Sequence, residues 1–496
     1  MATPSHAPQS TDHLERVLGP WMATALVVGT VIGSGVFKKP SQVAMNVPTF
    51  GWAISAWVLL GLLVLCGGLA LTEVIILYPR AGGNYVFLRE GYGRMWGFMW
   101  GWVEFFVIRS ASLAALATIF AESLHDVLRH ESVRASFGLA ETGPVLDFWP
   151  LQGVTIVTIL VLALVNARGV RWGGGLQLLV TTVKVGSLLF IAILPFALAL
   201  RTSAAPADVH WNYLTAPPHR DFSWLGFASA LIAVQWAYHG WTNLGPVGEE
   251  IRNPQRNVPL ALLGGIGILI FVYCSANVAY GLVLTQPEMA NLKGTSVAAE
   301  FARRLLGPTG GALIAGAIAV STFGALNGNL LVGPRLLYAM GADGLAPRAL
   351  AEVHPRYKTP AVATVVLALW AVALVVIGAA LTQYRLPVVP LLGRTIDLNL
   401  PPGKPLFDVL TDFAMFGAVI FETMAVASIF MFRWKRPDAE RPYRCVGYPW
   451  TPLIYVLCFI GVLASYFTEE QRVEAYSGLG FALLGAVVYG LFLRRR

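Results

Sequence analysis

Long apolar stretches alternate along this chain with short polar connections, and their length suits membrane-crossing helices better than core elements. A helix needs about 20 mostly apolar residues to cross the hydrocarbon of a bilayer. Such runs lie near 21–45, 51–78, 95–122, 151–167, 172–200, 222–247, 258–284, 308–333, 360–381, 408–432, 448–467 and 473–493. They predict an all-α polytopic membrane protein with about 12 transmembrane helices. Two runs are interrupted. The first is broken midway by Ile32-Gly33-Ser34-Gly35-Val36-Phe37, and the sixth by His239-Gly240 within residues 234–243. Lipid offers a spanning backbone no partner, so bare peptide groups at mid-membrane occur only where they face protein or water. Taken alone, the two glycines around Ser34 fit a kink or a close helix contact as well as a ligand site. The interruptions fall five spans apart, however, one opening each half of the chain. Inverted-repeat membrane proteins that hold a ligand between two broken helices have that arrangement.

Composition narrows the class. Of 496 residues, 56% are hydrophobic and only 12% charged, about half the charged fraction of a soluble domain. The formal charge of +8 does not indicate nucleic acid, because the basic residues form no single patch. With the N-terminus inside, they gather in the even-numbered connections: Arg80, Arg89 and Arg94; Arg168 and Arg171; Arg252 and Arg256; Arg335, Arg348, Arg356 and Lys358; Arg433, Lys435, Arg436, Arg441 and Arg444. The terminal Arg494-Arg495-Arg496 falls on the same side, so the positive-inside rule puts both termini in the cytoplasm. The first twenty residues form a polar tail without the pattern of a cleaved signal peptide. Cys66, Cys274 and Cys458 lie in spans and Cys445 in a loop, with no CxxC and no His/Cys cluster. Metal and redox cofactors are therefore not expected. An intramembrane enzyme would need an HExxH-type motif or a catalytic pair, and neither is present.

Several charges lie at membrane depth. Lys184 is mid-span and shares one helix face with Gln177, Thr181 and Ser187. A lysine there has to pair with carbonyls or line water, and by default it marks a functional position. Glu104 and Arg109 are five residues apart, a poor spacing for an α-helical pair, so each is expected to pair with another helix. Glu73, Glu249 and Glu250 lie beside basic loops and are expected to form ion pairs there. Glu422 sits mid-span in the tenth run, with no role assigned.

With these residues in view, the chain resembles the amino acid–polyamine–organocation superfamily, most nearly the L-type amino acid transporters and their bacterial relatives. The motifs that carry the likeness are Gly29-Thr30-Val31-Ile32-Gly33-Ser34-Gly35-Val36-Phe37, Leu71-Thr72-Glu73, Tyr78-Pro79-Arg80-Ala81-Gly82-Gly83-Asn84-Tyr85, Trp102-Val103-Glu104-Phe105-Phe106-Val107-Ile108-Arg109, Gly248-Glu249-Glu250-Ile251-Arg252-Asn253-Pro254, and Phe323-Gly324-Ala325-Leu326-Asn327. The resemblance implies a five-plus-five inverted repeat with two additional C-terminal helices. Residues 21–200 would form the first half, 201–432 the second and 433–496 the addition, after a tail at 1–20. It further implies transport of amino acids by alternating access at the plasma membrane, or the inner membrane if the source is bacterial. The substrate carboxylate would meet the N–H groups of Ser34 and Gly35 beside Gly33. Its ammonium would meet carbonyls of Val31 or Ile32 and of Trp236 and His239, with Ala237, Gly240 and Thr242 completing the site. Trp236 would be an aromatic gate. Lys184 would occupy the place of a sodium ion, near Ser321 and Thr322, which makes sodium coupling unexpected. Glu104 and Arg109 would be structural or gating groups. His239 and Thr242 depart from the glycine and asparagine usual in L-type carriers, and the His239 ring is expected to pack away. Neutral amino acids are the expected substrates, moved by exchange or proton coupling. Cationic amino acids or polyamines are the alternative, and would need an unpaired carboxylate such as Glu104. No cysteine follows the third span in 123–150, so no disulfide-linked heavy chain is expected.

Overall fold

A chain in lipid satisfies its backbone only through its own helices, and the polar connections of this one supply the caps and turns that end them. The computed structural model describes residues 14–136, 145–201, 209–292, 295–384, 389–391, 394–396, 406–467 and 472–493. The first span consists of α1 (Pro20–Val31) and α2 (Gly35–Asn46), bent by 42° at their break. After α3 (Phe50–Leu77) comes a short α4 (Asn84–Tyr92), set off by Gly83 and Gly93, whose φ values of 53° and 112° suit glycine. Next, α5 (Arg94–Val103) runs through a π-helical turn (Glu104–Arg109) into α6 (Ser110–Leu128). A loop helix α7 (Glu131–Ser136) precedes α8 (Phe148–Ala167) and α9 (Val170–Arg201). The second half opens with α10 (Trp224–Tyr238), which stops at the second break, followed by α11 (Pro254–Val283). Two short helices, α12 (Gln286–Ala290) and α13 (Val297–Leu306), lead into α14 (Pro308–Ala342) and α15 (Ala361–Gln383). The chain ends with α16 (Leu406–Lys435), α17 (Trp450–Ser465) and α18 (Arg472–Val488).

The helical expectation holds except for one hairpin, in which Val389–Leu391 pairs antiparallel with Arg394–Ile396. Among the described residues nine helices are long and apolar enough to cross a membrane, or ten with the bent α1–α2 pair. The other two expected spans contain α10 and α17, of only 15 and 16 residues. Residues 1–13 of the tail, 137–144 of the loop at 123–150, most of 382–407 and Arg494-Arg495-Arg496 lie outside the described residues.

Position within the bundle follows from small residues. Because lipid is as apolar as leucine, close packing and interhelical hydrogen bonds hold such helices together. Helix α1 is enclosed by α9, α11 and α14. A Cβ at Gly265 of α11 would fall 2.9 Å from Val27, and one at Gly324 of α14 would fall 2.8 Å from Lys184 Cε. At the basic end, Leu18 donates to the Glu250 carbonyl at 2.9 Å and accepts from Arg252 at 2.9 Å. Arg335 clasps the buried Glu250 carboxylate at 2.8 and 3.1 Å. Glu73 receives Arg433 at 2.8 and 3.0 Å and Arg441 at 3.2 Å. The ion pairs expected for Glu73 and Glu250 are therefore present, while Glu249 accepts the Ala81 N–H at 3.2 Å.

Candidate functional site

The two breaks face each other. Helix α1 ends at Val31, Ile32 is extended, and Ser34 caps α2, accepting from Phe37 and Lys38 at 3.2 and 3.1 Å. The Ser34 and Gly35 N–H groups stand at the head of α2, where the first donors of a helix lack intrahelical partners and favour an anion. Opposite, α10 stops at Tyr238, His239 is extended and Gly240 adopts φ +101°, before a 3-10 turn at Trp241–Leu244. Thr30 Oγ1 reaches the Gly240 carbonyl at 3.4 Å, and Tyr273 Oη lies 3.2 Å from the Val31 carbonyl and 2.9 Å from that of Ala237. Between the breaks is a cavity of about 20 Å³, walled on one side by Val31, Gly33, Ser34 and Gly35 and on the other by Trp236, His239 and Gly240. It has room for about one water, so anything larger enters only if wall side chains move. The buried hydroxyls of Ser34 and Ser112, both on this wall, have no hydrogen-bond partner among the described residues. Buried polar atoms ordinarily have one. The sites predicted at Ile32, Ala237 and Thr242 are placed behind the cavity wall rather than on it.

Gly35 holds the two breaks at contact distance, because a Cβ there would fall 2.6 Å from the Ala237 backbone. Overpacking of this kind costs about 1–3 kcal/mol. Gly35→Ala is expected to lower initial uptake by about tenfold or more, with unchanged elution in size-exclusion chromatography. Uptake at the wild-type rate would show that the contact does not matter for transport.

Lys184 braces the first break. Its Nζ donates to the Gly29 and Ile32 carbonyls, each at 2.7 Å, and is almost fully buried. Ser321 Oγ lies 3.2 Å from the Ile32 carbonyl and 3.0 Å from that of Gly33. These are end-of-helix carbonyls, which the helix dipole makes favourable to a cation. Thr181 donates to the Ala25 carbonyl at 3.0 Å, and Gln177 accepts from Asn327 at 2.9 Å. Three members of the predicted stripe thus face α1 and α14, whereas Ser187 bonds back to its own helix. Thr322 also bonds only within its helix, to Ile318 and Ala319.

One expectation about charge is corrected. Glu104 and Arg109 pair with each other, Arg109 Nε to Glu104 Oε1 at 2.8 Å. The turn between them is π-helical, and its wider i→i+5 repeat puts residues five apart in register. Arg109 also reaches Asn243 at 2.9 Å, just past the second break, and Asn329 on the cavity wall. The His239 ring packs within the protein, its Nδ1 3.4 Å from Glu422 and its plane nearly parallel to Trp236 with centroids 6.3 Å apart. The Thr242 hydroxyl is 3.5 Å from the same carboxylate.

A sequence model described as amino acid permease matches residues 18–492. The chain belongs to the amino acid permease family. It is 30% identical to the serine/threonine exchanger SteT of Bacillus subtilis (strain 168), over 97% of this chain and 98% of that protein. It is 28% identical to the human b(0,+)-type amino acid transporter 1, over 99% and 90% of the two chains. With the rabbit large neutral amino acids transporter small subunit 2 it shares 28% identity, over 96% and 80%. The protein is thus a multi-pass membrane permease for amino acids and not an enzyme.

Several residues in the site of this permease gave no local signal in the sequence. Tyr273, Ser112, Asn329 and Asn243 lie on four different elements, and only the folded bundle brings them to the breaks. Asn327 stood in a recognised motif, yet its bonds to Asn166 and Gln177, both at 2.9 Å, join α8, α9 and α14 across more than one hundred residues of chain.

Proposed function

We propose that this permease moves neutral amino acids across the plasma membrane, or a bacterial inner membrane, by alternating access, as an exchanger or proton-coupled carrier independent of sodium. One observation carries the reading. The cavity wall combines backbone from both breaks with unpartnered serine hydroxyls, and among the described residues it includes no Asp, Glu, Lys or Arg. Every amino acid shares a carboxylate and an ammonium, and backbone recognises that pair without selecting a side chain. The carboxylate meets the N–H groups of Ser34 and Gly35 with the Ser34 hydroxyl, and the ammonium meets carbonyls of Val31, Trp236 and His239. Trp236 closes over the bound molecule as a gate. Lys184 holds the first break in place of a sodium ion, which supports sodium independence. In this reading residues 21–200 and 201–432 are the inverted halves, and the basic connections support cytoplasmic termini. Similarity over nearly the whole chain to a serine/threonine exchanger supports exchange of neutral substrates. Without a cysteine in 123–150, the permease works without a disulfide-linked heavy chain.

Cationic substrates are a second reading. The carboxylate first considered for them, Glu104, is occupied by Arg109, but Glu422 stands behind His239. A panel of labelled amino acids in proteoliposomes separates the two, with pH and sodium varied and internal substrate present or absent. Serine-like substrates should counterflow, and uptake should be equal in sodium and choline buffers. Counterflow of arginine or putrescine alone would overturn the neutral reading, and binding without counterflow would indicate a sensor.

A further inference from the structure

At the basic end of the bundle, away from the substrate cavity, a pocket of about 270 Å³ opens where α8 meets α9. Arg168, Arg171, Arg356 and Lys358 line it, against a single carboxylate, Glu15. Glu15 is taken by Arg171 at 3.0 Å. Among the described residues Arg168, Arg356 and Lys358 have no carboxylate partner. The walls are fixed by hydrogen bonds between side chains and backbone. Thr359 donates to the Ala167 carbonyl at 2.7 Å, tying the loop after α14 to the end of α8. His354 Nδ1 accepts the N–H groups of Arg356 and Tyr357 at 3.2 and 3.3 Å, holding that loop as a turn. Gly169, at φ +142°, turns the chain into α9, whose first residues Val170 and Arg171 line the same pocket and carry N–H groups without intrahelical partners. Three uncompensated cations at a helix N-terminus make a site for a phosphate-like anion.

The same two helices show what carries that anion. From the pocket outward, α8 exposes Leu164, Val161 and Val157, each at least half exposed, and α9 exposes Trp172 at 74% and Leu179 at 65%. In a membrane protein these side chains face acyl chains, and an exposed tryptophan beside them marks the headgroup level. A cationic pocket beside exposed apolar helix faces suits an amphiphile with an anionic head. We propose that this pocket binds the headgroup of an anionic glycerophospholipid, with its phosphate among Arg168, Arg356 and Lys358 and its acyl chains along α8 and α9. The lipid would join the loop after α14 to the N-terminus of α9, the helix that carries Lys184.

The test uses native mass spectrometry of the full-length protein, delipidated in detergent and titrated with phosphatidylglycerol or phosphatidylcholine. Wild type is expected to bind phosphatidylglycerol at least about tenfold more tightly. Arg168→Gln/Arg356→Gln/Lys358→Gln should abolish the preference, while Arg256→Gln/Arg348→Gln/Arg444→Gln, an equal charge loss elsewhere, should keep it. Should the first triple variant fail to fold, Arg356→Gln and Lys358→Gln are measured singly, each expected to weaken binding by about fivefold. Equal loss in both triple variants, or unchanged binding in the singles, would overturn the proposal in favour of general surface charge. Inorganic phosphate bound without any lipid preference would overturn it in favour of a soluble anion.

Discussion

Replacing Lys184 with alanine is expected to abolish exchange while leaving the protein folded and able to bind substrate weakly. The ammonium makes two 2.7 Å bonds to the Gly29 and Ile32 carbonyls, at the point where α1 runs out of its own donors. A hydrogen bond from a charged donor is worth about 1.5–3 kcal/mol, and both losses fall on the segment that leads from α1 to the Ser34 and Gly35 N–H groups at the head of α2. Water can enter and satisfy the carbonyls, which limits the damage to overall stability. It cannot hold the break in one place, and a displaced α2 head no longer faces Gly240. The expected outcome is counterflow of labelled substrate reduced by about 100-fold, with a smaller loss of binding in a thermal-shift titration. Lys184→Arg should not rescue, because Gly324 packs against the lysine stem and leaves no width for a guanidinium. Full exchange by Lys184→Ala in liposomes would remove this residue from the mechanism.

The features that proved legible in the sequence were those whose physics is local. An apolar run long enough to cross a bilayer folds as a helix in any context, and glycine with serine inside such a run opens it. Both breaks could therefore be located to within a residue or two. The stripe through Lys184 was readable because α9 is regular there. The same helical arithmetic failed at Glu104 and Arg109, since it assumes 3.6 residues per turn and the chain inserts a π turn between them. The stretch itself, Glu-Phe-Phe-Val-Ile-Arg, carries no glycine or proline to announce that irregularity. The His239–Glu422 approach joins residues 183 positions apart, and no period along one sequence encodes such a pairing.

Arg109 is expected to show the second large effect, and its design is a cycle rather than a single change. The guanidinium is buried with Glu104 and ties the π turn to Asn243 after the second break and to Asn329 on the cavity wall. Arg109→Met leaves the Glu104 carboxylate buried without its cation, a change that costs about 3–5 kcal/mol where measured in other proteins. Glu104→Gln/Arg109→Met removes both charges and should recover most of that stability, because a buried pair replaced as a unit is often close to neutral. If the pair served stability alone, the double variant would also recover exchange. The contacts to Asn243 and Asn329 argue otherwise, since both are lost with Arg109: Asn329 lines the cavity between the breaks, and Asn243 donates to the Gly240 carbonyl at 3.0 Å. Thermal unfolding should therefore improve from the single to the double variant, while exchange stays low in both. Recovery of exchange together with stability would reduce Arg109 to a structural counter-ion, and the link between the π turn and the second break would then play no part in transport.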